Sequence, residues 1–118
     1  MVVYVFDISR ISKCIKEFTF SIVNEDIFGE LREYVVMSLI NEYQLPLNIH
    51  YKKIDDSKLS KYRDLLFNKC FHEFACTYTN IYNGLLNMLD GTNSNFDLLD
   101  MKIENNLLML NVRGGSYE

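Results

Sequence analysis

Cys70, His72, Glu73 and Cys76 lie within one short stretch of a 118-residue chain. On a helix, His72 and Cys76 fall one turn apart on the same side, and Glu73 lies three residues from each cysteine. Zinc takes four ligands, or three and a water. Only His72 and Cys76 converge; Cys70 falls on the apolar side, and His50 or Cys14 would have to complete the set from elsewhere. A thiol next to an imidazole can also exchange a proton and act as a nucleophile. Cys76, however, is mid-helix and has no free backbone N–H near it to stabilise an oxyanion. Cys14, between Lys13 and Lys16, is the more activated thiol, but no histidine stands near it in sequence. The chain has no Gly-rich phosphate loop, no G-x-S-x-G and no H-E-x-x-H. These patterns predict no catalytic residue, no metal, no cofactor and no enzyme.

Charge gives a different lead. There are 12 Lys and Arg against 16 Asp and Glu, a net charge of −4. Phosphate backbones are bound by clustered Lys and Arg. The one dense basic run, Lys52-Lys53, is followed at once by Asp55-Asp56. Direct nucleic-acid binding is therefore not expected. Acidic groups gather in two places, Glu25, Asp26, Glu30 and Glu33 in one and Asp97, Asp100 and Glu104 in the other. Leu107 and Met109 add apolar surface beside the second. Glu30, Glu33, Asp97, Asp100, Glu104, Leu107 and Met109 are thus the expected partner-binding residues, and the expected partner is a basic protein.

The elements that must position these residues follow from periodicity. Residues 2–8 are apolar on both faces and predict a central strand covered on both sides. Residues 9–15 read as a connection with room for one helical turn. Residues 16–23 alternate, with Phe18, Phe20 and Ile22 inward, and predict a second strand. Asp26 is the best cap for a helix over 27–43, whose apolar stripe includes Ile27, Leu31, Tyr34, Val35 and Leu39. Pro46 ends it. Residues 47–54 predict an edge strand, followed by an Asp55-Asp56-Ser57 cap. An i, i+4 stripe then runs from Leu59 to Leu89, stopped by Asp90-Gly91. A single helix of that length is long for a domain this small, so a bend or break is expected near 68–71. A turn-rich loop covers 91–96. The last unit is a hairpin turning at Asn105-Asn106 in a type I′ turn, which pairs Ile103 with Leu108, Met101 with Leu110 and Leu99 with Val112. Residues 114–118 read as a frayed tail.

The expected fold is α+β, in the order β-β-α-β-α-β-β. It is one domain over 1–118, an antiparallel sheet of about five strands with two helices on one face. Three cysteines is an odd number, which predicts reduced thiols, and no apolar run approaches the roughly 20 residues of a membrane span. The start reads as a strand and not as a signal peptide, so the expected location is the cytoplasm. By analogy of size and charge, the expected function is that of a small inhibitory domain, immunity-protein-like or of the phage-inhibitor type, acting by complex formation. The alternatives are a structural or chaperone-like subunit working as a homo-oligomer, a homodimer among them, and an enzyme with a Cys/His site.

Overall fold

The computed structural model describes residues 2–23, 26–50, 57–89 and 95–114. Strand β1 (Val2–Asp7) leads into helix α1 (Ser9–Phe18) and a π-helical turn (Thr19–Val23). Helix α2 (Phe28–Glu42), the short strand β2 (Leu47–Ile49), helices α3 (Ser57–Lys69) and α4 (Phe71–Leu89), and the hairpin β3 (Phe96–Glu104) and β4 (Leu107–Gly114) follow. The strands form one four-stranded sheet in the order β1-β4-β3-β2. β1 and β3 run antiparallel to β4, and β2 runs parallel to β3. Among the described residues this is a mixed four-stranded sheet with four α-helices, which corrects the expected five-stranded antiparallel sheet with two helices.

The extra helix arises where two periods compete. Alternation over 16–23 is real, but Ile8, Ile11, Ile15 and Phe18 recur at helical spacing, and all four are buried. The helix therefore wins through Phe18, and Thr19 closes it by donating its hydroxyl to the Ile15 carbonyl at 2.7 Å. Phe20 and Ile22, expected inside, are left exposed at 50% and 61%. The strand directions also differ for a physical reason. Two helices lie between β2 and β3, so the chain crosses over and returns in the same direction. β2 is an edge strand, as expected. β1 is the other edge, and it is covered on one face only.

α2 buries Leu31, Val35, Val36, Met37, Leu39 and Ile40, close to the expected stripe. Its N-cap is Ile27, without a side-chain hydrogen bond, and not Asp26. The expected long helix breaks at Cys70. The ladder continues on both sides of the break: the Cys70 N–H donates to Leu66 and the Phe74 N–H donates to Cys70. The hairpin registers Ile103 on Leu108 and Met101 on Leu110, as its apolar pattern predicts. A bulge between Leu98 and Asp100 then shifts the pairing, so Leu98 and not Leu99 faces Val112. Asn105 has φ 55° and is the sole positive-φ non-Gly among the described residues. A type I′ turn needs two such residues, so the expected type I′ turn is not the one formed. Gly114, expected in a frayed tail, is the last residue of β4, with φ 107°.

The core lies between the helices and one face of the sheet. Leu98, Leu108, Leu110 and Val112 from the sheet meet Ile11 and Ile15 of α1, Leu66 of α3, and Ile81 and Leu85 of α4. Each such side chain contributes about 1.5–3 kcal/mol through burial. Gly84 lets α4 approach β1, since a Cβ there would stand 2.7 Å from the Phe6 ring. Cys14 of α1 and Cys70 at the α3–α4 junction form a disulfide with Cα atoms 6.1 Å apart. This corrects the expectation of three reduced thiols: an odd count leaves one cysteine over, here Cys76, and does not stop the other two from pairing. Several expected features lie outside the described residues: Glu25, the strand beyond His50, the Asp55-Asp56 cap, the Asp90-Gly91 stop, loop residues 91–94 and tail residues 115–118.

Candidate protein-docking face

Strand alternation gives the sheet two chemically different faces. The face away from the helices carries Val3, Val5 and Asp7 of β1, Leu107, Met109, Asn111 and Arg113 of β4, and Glu104, Lys102, Asp100 and Asp97 of β3. Val3 is 54% exposed, Val5 51% and Leu107 39%. The registered pair Val5–Met109 joins the two strands, with Val3 and Leu107 extending the apolar strip along them. The β3 side of the same face is polar. Counting both sides, four carboxylates stand against two cations. The face thus combines an exposed apolar strip with a net negative charge.

The expected residues separate into three groups. Asp100, Glu104, Leu107 and Met109 come together on this face. Asp100 is exposed, and Glu104 is shared with Lys102 at 3.4 Å. Asp97 lies on the same face but is engaged within the chain. The Asn48 amide donates to it at 3.3 Å, and the His50 Nε2 is 3.1 Å from the same oxygen. Those two bonds hold the Asp97 carboxyl below the usual carboxylate range. Glu30 and Glu33 are exposed on α2, which belongs to the helical layer. α2 touches the hairpin through Arg32, whose Nη1 donates to the Asn105 carbonyl at 2.7 Å.

Val3 and Val5 are the residues the sequence pattern missed. A run apolar on both faces reads as a buried strand, and nothing local says that one face stays open. A second omission is basic. Arg10, Lys13 and Lys16 stand at i, i+3 and i+6, so they share a side only once residues 9–18 are known to be helical.

His72 Nε2 and Cys76 Sγ are 3.7 Å apart on the outside of α4. Among the described residues no group of three or more His, Cys, Asp or Glu is placed to hold a metal ion. Tyr78 and Tyr82 pack against the core, and the Tyr78 hydroxyl donates to the Gln44 carbonyl at 3.0 Å. An apolar recess of about 280 Å³ opens between α2, α3 and α4, lined in part by Tyr43, Phe67, Phe71 and Tyr78. No helix among the described residues is long and apolar enough to cross a membrane. Compared with protein-family models, curated proteins and solved structures, the chain matches none.

Proposed function

We propose that the protein works by binding a basic protein partner through the open face of its sheet, as an inhibitory or immunity-type domain. The observation that carries this reading is the strip of Val3, Val5, Leu107 and Met109, left outside a core that is already closed by the other face. Asp100 and Glu104 flank it and would steer a basic partner, speeding encounter more than they add affinity. The chemistry for an enzyme is less well supported. Cys76 lies mid-helix in α4 (Phe71–Leu89), where the backbone N–H groups are bonded within the helix, so no donor pair stands beside this thiol for a developing oxyanion.

One observation favours a second reading, self-association. β1 is an edge strand with Val2, Val3 and Val5 exposed at 46%, 54% and 51%, and an open apolar edge accepts another strand. A cytoplasmic site of action requires Cys14 and Cys70 to be reduced there. Thiol alkylation of protein taken directly from its cell reads that state.

The test is affinity capture from the native cell with the wild type and with the double variant Val5→Asp/Met109→Asp. A basic protein retained by the wild type and lost by the variant supports docking on this face. A partner held equally by both overturns it. Sedimentation velocity of the purified wild type distinguishes the second reading: a dimer that the same variant dissolves supports self-association.

A further inference from the structure

Ser9, Ser12, Lys13 and Lys16 of α1 stand at i, i+3, i+4 and i+7 and line one wall of a cavity of about 210 Å³. Phe28 in the first turn of α2 and Asn106 in the hairpin turn line the other wall. The far wall is held in place. The Ile8 N–H donates to the Asn106 carbonyl at 2.9 Å. Arg32 Nη1 bonds the Asn105 carbonyl and reaches the Asn106 Oδ1 at 3.5 Å, and its guanidinium lies 4.9 Å from the centre of the Phe28 ring.

Two things in this cavity lack what they would ordinarily have. Ser12 is 2% exposed, and its Oγ is buried without a hydrogen-bond partner. A helical hydroxyl commonly bonds back to the carbonyl four residues earlier, as Thr19 and Ser38 do in this chain; Ser12 does not. Lys13 and Lys16 have no ion-pair partner among the described residues, in a chain of net charge −4. Ser9 is not available in the same way, since its hydroxyl donates to Asp7 Oδ1 at 2.5 Å. With Asn106 Oδ1 facing Arg32, the Asn106 amide nitrogen still has protons to donate. The donors therefore come from both walls: the Lys13 and Lys16 ammoniums, the Ser12 hydroxyl and the Asn106 amide.

We propose that this cavity binds a small phosphate monoester, with the phosphate between Lys13, Lys16, Ser12 and Asn106 and its organic group against Phe28. Two unpaired ammoniums match the charge of about −1.5 to −2 that a phosphate monoester carries near pH 7. A carboxylate would leave one ammonium unmatched. At about 210 Å³ the cavity has room for a phosphate and a small flat substituent.

The test is an amide NMR titration of the whole protein at constant ionic strength, using phenyl phosphate, inorganic phosphate, sulfate and benzoate as probes. Phenyl phosphate is expected to give saturable shifts at Ser12, Lys13 and Asn106. Inorganic phosphate should move the same signals at higher concentration. Ser12→Ala, and separately Lys13→Ala/Lys16→Ala, should each weaken phenyl phosphate about tenfold or more. Ser12→Ala should fold at least as well as the wild type, because it removes a buried unpartnered hydroxyl from a helix. Absence of saturation, equal response to benzoate or sulfate, or undiminished binding by Ser12→Ala would each overturn the proposal.

Discussion

β4 presents two sets of residues to two environments. Leu108, Leu110 and Val112 are 0–1% exposed against the helices. Leu107, Met109 and Asn111, their immediate neighbours, face away from any helix. Both sets are rich in apolar atoms, yet only the first belongs to the buried core. The second set, with Val3 and Val5, lies outside that core. An apolar residue whose removal leaves the fold intact is one for which another use can be sought.

The contrast can be broken from the inner side first. The Cys14–Cys70 bridge closes a loop with a sequence separation of 56, which corresponds to about 4 kcal/mol of chain entropy in the unfolded state. Cys14→Ala/Cys70→Ala should lower the unfolding free energy in urea by about that amount. Leu110→Ala removes a fully buried side chain and should cost about 3 kcal/mol. Met109→Ala, one residue away, should cost under about 1 kcal/mol, with partner binding lost instead. If Leu110→Ala and Met109→Ala destabilised equally, the two faces would not differ as described.

Much of this contrast was legible in the sequence. The hairpin pairs Ile103 with Leu108 and Met101 with Leu110 because a one-residue slip would reverse every side chain. The helix over 27–43 and the break near Cys70 followed from periodicity and length. The bulge at Leu99 was not legible, because an inserted residue leaves no mark in an apolar run. Helix α1 was hidden because Phe18 fits both a strand alternation and the stripe of Ile8, Ile11 and Ile15. That error also concealed Lys13 and Lys16 as neighbours of Ser12. The parallel pairing of β2 depends on the crossover through α3 and α4, which three residues cannot announce. Of the expected partner-binding residues, four came together, whereas Asp97 turned out to be held by Asn48 and His50.

The smaller effects sharpen the polar side of the same face. Asp100→Lys/Glu104→Lys should slow association with a basic partner about tenfold at low salt, and the slowing should fade as salt is added. Stopped-flow mixing at two ionic strengths reads this. Asp97 and Asp7 have carboxyl groups lowered by hydrogen bonds, from Asn48 and His50 in one case and from Ser9 in the other. A lowered folded-state value means that their stabilisation is complete above the unfolded carboxylate pKa of about 3.9 and is lost as pH falls through the folded value. Stability should therefore decline on the acid side, and Asp97→Asn should make that decline shallower in a urea series from neutral pH to pH 2.

The most direct test of the open face is methyl NMR of the protein with and without the captured partner. Val3, Val5, Leu107 and Met109 should shift or broaden on binding, while Leu65, Leu86 and Met88, which are exposed at 55%, 41% and 52% on α3 and α4, should stay in place. Perturbation of Leu65, Leu86 and Met88 with the sheet methyls unmoved would contradict docking on the open face.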